Sequence, residues 1–149
     1  MPVKIELQND EAFADIPSEQ LFHDWVNASL LASYRHLEQT IRIVGEAESQ
    51  DLNHRYRARK TPTNVLAFPT DADFPDYDCL GDLVICAPLV ASEAATQGKT
   101  AEAHWAHLVV HGMLHLQGFD HKDSDQTRQM EQLEIKILDT LGYTNPYND

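Results

Sequence analysis

Three histidines in the C-terminal half of the chain have the spacing of metal ligands. They are His111, His115 and His121, in the pattern H-x-x-x-H-x-x-G-x-x-H. The first two are four residues apart, so on a helix their imidazoles lie on one face and converge on one ion. Ligand nitrogens on a tetrahedral zinc ion lie about 3.4 Å apart, which two such rings can reach by choice of rotamer. The pair therefore predicts two zinc ligands on one helix.

The third ligand is expected from beyond the end of that helix. The next turn on the same face carries Gly118, which permits a left-handed backbone conformation and lets the chain turn back. His121 can then reach over the metal. Three neutral imidazoles leave zinc with its full +2 charge and one open position, which is typical of a catalytic rather than a structural site. We therefore expect one catalytic Zn²⁺ per chain.

The same histidine spacing occurs in the metzincin peptidases, but one residue differs. Those enzymes carry a glutamate directly after the first histidine as general base, whereas this chain has Gly112. Losing such a base costs about 10² to 10⁴ in rate. Asp120 is the nearby carboxylate, and orientation of an imidazole or simple solvation is favoured for it. A metallopeptidase stays open as an alternative function.

A local cluster of positive charge lies within an acidic chain. Four of the 11 lysines and arginines are Arg55, Arg57, Arg59 and Lys60, while the formal charge of the whole chain is −13. That charge repels polyanions from most of the surface and argues against a general nucleic-acid coat protein. Arginine makes paired hydrogen bonds to phosphate, so one beside a metal suits phosphodiester chemistry better than amide hydrolysis. The alternative is that these cations only offset the dipole at a helix C-terminus.

The elements that must position these residues follow from hydrophobic periodicity. Alternation of apolar and polar residues, together with short apolar runs, predicts strands over 3–7, 40–44, 65–68 and 81–86. Three- and four-residue spacing predicts helices from Ser18 onward and over 46–56, 88–97, 101–117 and 123–141. Ser18 and Thr100 are the expected N-caps of the first and fourth of these helices.

Other polar residues have structural interpretations. His104 and His107 precede His111 on the same helix face, where packing or hydrogen bonding near the site is favoured over ligation. The two cysteines, Cys79 and Cys86, lack Cys-x-x-Cys spacing, so reduced thiols are expected and Cys86 is expected in a buried strand. Acidic residues within 71–78 predict a solvated loop rather than a calcium site.

Length and composition predict one domain spanning residues 1–149. The chain is 42% hydrophobic and 23% charged, and at 149 residues it can bury a core without disulfides. Its apolar runs are much shorter than the ~20 residues of a membrane span. The N-terminal residues lack the pattern of a secretory signal. We therefore expect a cytoplasmic protein without membrane attachment.

Three segments of the chain carry a family resemblance. They are Tyr56-Arg57 followed by PTNVLAFP at 62–69, LGDLVIC at 80–86, and HWAH at 104–107 running into the histidine motif. Together they are similar to the YbeY-type metal-dependent endoribonucleases of bacterial ribosomal RNA maturation. The likeness continues through the helix that ends at residues 141–143 and covers nearly the whole chain. The combination is more specific than the histidine motif alone.

This resemblance implies both a fold and a function. The fold is α+β, with helices packed on a mixed, mainly parallel four-stranded sheet and a zincin-like metal-binding helix. The activity is that of a zinc-dependent, single-strand-specific endoribonuclease in 3′-end maturation of small-subunit ribosomal RNA and in ribosome quality control. Expected partners are single-stranded RNA, ribosomal RNA and proteins of the small ribosomal subunit, whereas DNA is not expected.

The resemblance also implies roles for individual residues. His111, His115 and His121 correspond to the metal ligands, and Arg57 corresponds to the arginine associated with activity. The other three cations, Arg55, Arg59 and Lys60, inherit no role. A non-catalytic ribosome assembly factor, in which zinc only holds the last helix in place, is the third hypothesis.

Overall fold

Four strands and five helices make up the described part of the chain. The computed structural model describes residues 3–34, 36–70, 79–120 and 122–147. Along the chain the elements are β1 (Val3–Gln8), α1 (Glu19–Ser29), β2 (Leu37–Val44), α2 (Glu46–Arg57), β3 (Val65–Pro69), β4 (Gly81–Cys86), α3 (Ala87–Gln97), α4 (Ala101–Leu116) and α5 (Ser124–Thr140). The predicted acidic loop at 71–78 and the predicted ligand His121 lie outside the described residues.

The strands form one mixed sheet in the order β1-β2-β4-β3. β2 pairs in parallel with both β1 and β4, with Ile41 opposite Leu83. β3 pairs antiparallel with β4 at the edge, with Leu66 opposite Val84. The predicted α+β fold with a mixed, mainly parallel four-stranded sheet is confirmed.

The two faces of the sheet are covered differently. On one face, Ile41, Leu83 and Ile85 are fully buried beneath α1, α4 and α5. On the other face, a smaller cluster that includes Leu66 and Val84 packs against α2 and the start of α3. Burying each large aliphatic side chain contributes about 1.5–3 kcal/mol, so the larger face supplies most of the apolar stabilisation. The position of α4 over β3 and β4 follows from this packing.

Two helices, α1 and α4, begin at the expected capping residues. Ser18 Oγ accepts a hydrogen bond from Leu21 N–H, and Thr100 Oγ1 accepts one from Ala103 N–H at 3.1 Å. β2 begins at Leu37, three residues before the prediction, because buried Gln39 occupies an inward position and hides the alternation. The Gln39 side-chain N–H donates to Gly81 O at 2.9 Å, which satisfies the donor of this amide within the sheet.

α4 is the central helix of the fold. It packs against β3 and β4 and against α1, α3 and α5, and most of its residues are buried. Helices elsewhere in residues 3–34, 36–70, 79–120 and 122–147 likewise lack the length and apolar character needed to cross a bilayer. The apolar faces of α4 are thus covered by the protein itself.

Candidate active site

The structure brings two of the predicted metal ligands together on α4. His111 Nε2 and His115 Nε2 lie 3.1 Å apart, and their ring centroids are separated by 4.7 Å. Ligand nitrogens on tetrahedral zinc are separated by a similar distance, about 3.4 Å. The pair therefore fits a zinc ion as two of its ligands. Within the described residues, which exclude His121, no group of three or more His, Cys, Asp or Glu side chains forms a metal cluster.

α4 ends in a way that turns the chain back. Gly118 has φ of +102°, the conformation that its place in the motif predicted. Phe119 N–H donates to Leu114 O at 3.0 Å, which closes the helix end in a Schellman-type arrangement. Asp120 then lines the cleft beside the two histidines. The segment leading to residue 121 is thus directed by the glycine rather than by a further helical turn.

A buried carboxylate that the sequence analysis missed contacts the histidine pair. Glu134 of α5 is fully buried, and Oε1 accepts a hydrogen bond from His111 Nδ1. Burial by itself raises the pKa of this carboxyl, but the polar groups of His107, His111 and Tyr147 outweigh that effect and hold the pKa at about 2. Glu134 is therefore ionised at neutral pH.

The sequence did contain a signal for Glu134. It occupies the buried face of α5 together with Met130, Ile137 and Leu138, at helical spacing. A glutamate in the middle of an apolar stripe is rarely buried without a partner. Such a residue indicates a polar contact across the core, which here is made to His111.

The C-terminal segment adds a second contact to the same carboxylate. The Tyr147 hydroxyl donates to Glu134 Oε2 and lies 3.1 Å from His107 Nε2. Burial and the neighbouring Glu134 raise the pKa of Tyr147, so its hydroxyl stays protonated and able to donate. Lys99 Nζ donates to Pro146 O at 2.9 Å and anchors this segment. Periodicity could not reveal Tyr147, because it lies beyond the last helix.

A second histidine–carboxylate contact lies next to Asn64, a residue that lines the cleft. His104 Nε2 lies 2.9 Å from Glu93 Oε1, and the same oxygen accepts from Asn64 Nδ2 at 3.0 Å. Burial lowers the pKa of His104, with Glu93 opposing the change. The contact is thus a hydrogen bond from a neutral ring rather than an ion pair. Hydrogen bonding near the site, the interpretation favoured from sequence, describes both His104 and His107.

Arg57 reaches the cleft because the loop after α2 folds back on that helix. Ala58 ends α2 in the left-handed conformation. Ser49 Oγ donates to Thr63 O at 2.7 Å and accepts from Thr63 N–H at 2.9 Å. Asn53 Nδ2 donates to Thr61 O at 2.7 Å. These buried polar groups hold the loop so that Arg57 lines the same cleft as the histidines.

The other three cations of the cluster do not line this cleft. Arg55 is paired with Asp51 at 3.3 Å on the surface of α2. Lys60 lies beside His54 in a separate hollow, and Arg59 is exposed. Charge and spacing could not choose among the four, because the choice depends on the direction in which the chain leaves α2; only the family resemblance singled out Arg57.

The cleft has a volume of about 560 Å³. One wall is edge strand β3, through Val65 and Ala67, and the other is α4. Arg57 and Tyr147 also line the cleft. A cavity of this size accommodates part of a polymer, and its wall combines a permanent cation with imidazole nitrogens. The arrangement can bind a phosphate group next to a metal ion.

Gly112 packs against the sheet with no space for a side chain. A Cβ atom at this position would lie 2.6 Å from Leu83 Cδ2. Leu83 is fully buried and cannot move away freely. The general base that metzincins carry here therefore has no room in this fold, which disfavours the metallopeptidase alternative.

Substitution of Gly112 by alanine tests this close packing. Overpacking a core costs about 1–3 kcal/mol, and the helix propensity of alanine returns about 1 kcal/mol, so a net loss of up to about 2 kcal/mol in the free energy of unfolding is expected. Urea unfolding measures it. A Leu83→Val change in the same protein should recover part of the loss, since it removes the contacting methyl group. A more stable Gly112→Ala protein would contradict the packing argument.

The two cysteines are free thiols, as expected from their spacing. Cys86 is buried at the end of β4, and burial raises the pKa of its thiol. A protonated, inaccessible thiol is a poor nucleophile. Cys86 therefore serves the smaller apolar cluster rather than the chemistry of the cleft.

Comparison with known proteins extends over almost the whole chain. A family model described as Endoribonuclease YbeY matches residues 4–142. A protein named Endoribonuclease YbeY from Coxiella burnetii (strain RSA 493 / Nine Mile phase I) is 46% identical over 152 residues, covering 99% of each chain. One of the same name from Nitrosococcus oceani is 47% identical over 150 residues, covering 99% of this chain and 98% of the relative.

A solved structure is similar in fold. The solution structure of TM1509 from Thermotoga maritima superimposes with a TM-score of 0.55 at 20% sequence identity, covering 99% of both chains. At this identity the likeness concerns the fold alone. It agrees with the arrangement of helices on a four-stranded sheet described above.

Proposed function

This chain belongs to the YbeY endoribonuclease family, and from that premise we propose that it is a zinc-dependent, single-strand-specific endoribonuclease. It is a hydrolase of the nuclease class, and its substrate is RNA. The proposed role is 3′-end maturation of small-subunit ribosomal RNA together with ribosome quality control. The observation that supports this most strongly is the convergence of His111 Nε2 and His115 Nε2 in a cleft that Arg57 also lines.

The proposed metal ligands are His111, His115 and His121. When bound, zinc supplies a positive centre that can polarise a phosphoryl oxygen or lower the pKa of a water molecule. The remaining steps belong to side chains of this chain. Glu134 holds the ring of His111, and Arg57 binds the phosphate and stabilises the charge that grows on it in the transition state.

The acidic composition limits where RNA can bind. With a formal charge of −13, most of the surface repels a polyanion, whereas the cleft combines Arg57 with the proposed metal. We expect the cleft to attract RNA locally. We expect proteins of the small ribosomal subunit to direct the enzyme to its RNA in the cytoplasm. The isolated protein should therefore cleave single-stranded RNA with little sequence selectivity. Strong sequence-specific binding to naked RNA would contradict this expectation.

Metal removal tests the proposed activity directly. Purified protein is incubated with single-stranded RNA before chelation, after chelation, and after zinc is restored. Cleavage should disappear with chelation and return with zinc, while single-stranded DNA of the same sequence should stay intact. Identification of a 3′-hydroxyl or a cyclic phosphate at the cut end then separates attack by water from attack by the RNA 2′-hydroxyl. Cleavage that persists through chelation would overturn metal dependence, and absence of cleavage with zinc bound would overturn the nuclease proposal.

A further inference from the structure

The carboxylate of Glu134 is in an unusual environment for a charged group. It is fully buried on a face of α5 that otherwise presents Met130, Ile137 and Leu138. Burying a carboxylate costs several kcal/mol unless its oxygens are well hydrogen-bonded. Among the described residues, the ion pairs contain no lysine or arginine next to it. Its charge is instead compensated by the side chains of His111 and Tyr147, which donate hydrogen bonds to its two oxygens.

The contact to His111 selects one form of that imidazole. An ionised carboxylate only accepts hydrogen bonds, so the contact selects the form of the ring in which Nδ1 carries a proton, which is the form that a metal-binding, neutral His111 needs. Nε2 then carries a lone pair, and Nε2 is the atom that lies 3.1 Å from His115 Nε2. The carboxylate and the candidate metal site therefore lie at opposite nitrogens of one ring. Contacts of this kind fix the tautomer and orientation of metal-bound histidines.

Tyr147 completes the support of the carboxylate. Its hydroxyl donates to Oε2, whereas His111 donates to Oε1, so both oxygens are engaged and the carboxylate cannot rotate freely. The Lys99 contact to Pro146 O holds the tyrosine's segment against the start of α4. The C-terminal segment thus completes the hydrogen bonding of the Glu134 carboxylate.

From this geometry we propose that Glu134 and Tyr147 are positioning residues that hold His111 with Nδ1 protonated and Nε2 directed at the metal. The inference rests on the proposed function, because zinc is the ion that His111 would bind. α5 and the C-terminal segment are then parts of the metal site although they carry none of its proposed ligands. The expected consequence of losing them is weaker zinc affinity in a protein that still folds.

Zinc affinity of purified variants tests the proposal without RNA. Glu134→Gln keeps the shape of the side chain, but its amide can donate as well as accept and no longer selects the Nδ1-protonated ring. Competition with a chromophoric chelator should show a zinc Kd weakened about 10- to 100-fold. Tyr147→Phe should weaken it by less, about 2- to 10-fold, because the carboxylate contact to His111 persists. Asp139→Asn removes an exposed carboxylate from the same helix and is the matched control, expected within about twofold.

A spectroscopic measurement separates positioning from a general structural role. Side-chain ¹⁵N NMR of the zinc-free parent should show His111 protonated at Nδ1, and Glu134→Gln should show a mixture of tautomers. A folded Glu134→Gln protein with the parent's tautomer and zinc Kd would overturn the proposal, as would an equal loss in Asp139→Asn.

Two further outcomes keep the test decisive. If Glu134→Gln does not fold, Tyr147→Phe decides, and an unchanged zinc Kd in that variant would overturn the proposal. A parent protein that binds zinc but leaves RNA uncut would overturn the proposed function and leave this inference intact.

Discussion

Replacement of His115 by alanine is expected to lower zinc affinity and RNA cleavage by more than 100-fold. Loss of a residue that only hydrogen-bonds to a metal-binding side chain costs about 10- to 100-fold in metal affinity. Loss of a proposed ligand itself must cost more. His115 lies on the cleft side of α4, where its ring is only partly buried, so the fold should tolerate the change. Zinc titration and an RNA cleavage assay on the same preparation measure both effects.

The same variant discriminates an enzyme from a non-catalytic assembly factor. In an assembly factor whose zinc holds the last helix, His115→Ala should lower the melting temperature together with metal binding. In the proposed enzyme, the variant should lose cleavage but keep its last helix folded, so it should melt at a temperature close to that of the zinc-loaded parent. His54→Ala, on the exposed side of α2, is the control for loss of a histidine elsewhere. A cleavage rate that survives His115→Ala would remove this residue from the proposed site.

Arg57→Ala is expected to reduce cleavage by about 10²- to 10³-fold while zinc affinity stays within about twofold. Arg57 lines the cleft but is not one of the proposed metal ligands, so metal binding should not depend on it. We expect the guanidinium to stabilise the negative charge that develops on the phosphate during the reaction. Single-turnover cleavage at saturating RNA separates this effect from weaker substrate binding.

Two companion variants sharpen the test of Arg57. Arg57→Lys keeps the positive charge but loses the paired geometry, so it should recover part of the rate. Arg55→Ala removes a cation two residues away that is paired with Asp51 outside the cleft, and it should cleave at nearly the parental rate. Equal losses in Arg55→Ala and Arg57→Ala would mean that general electrostatic attraction, rather than a directed contact, explains the effect.

Local structure was largely predictable from the sequence, because it depends on neighbours along the chain. Alternation located β1, a short apolar run located β4, and the caps at Ser18 and Thr100 set the starts of two helices. The start of β2 was missed because Gln39 is polar yet buried, and its partner Gly81 lies 42 positions away. Strand order and the antiparallel direction of β3 depend on such distant pairings and have no local signature.

The candidate site was predictable to the extent that its residues lie on one helix. The spacing of His111 and His115 is sufficient to bring their rings together once α4 forms. Arg57 was distinguished by family resemblance, since its direction depends on a loop held by Ser49 and Asn53. Glu134 reaches the site from α5, which packs against α4. Hydrophobic periodicity does not predict which helices pack against each other, so it could not predict this contact.

The cleft joins parts of the molecule from opposite faces of the sheet. α2, which ends in Arg57, packs on one face, and α4 packs on the other, with edge strand β3 between them. The spacing between cation and imidazoles is therefore set by the thickness of a packed three-layer scaffold. Such a site is pre-organised: a flexible strand of nucleic acid loses its freedom on docking, while the protein has little left to rearrange. Any gain in reaction rate then comes from the alignment of the cation and the imidazoles, which is complete once the protein has folded and before nucleic acid binds.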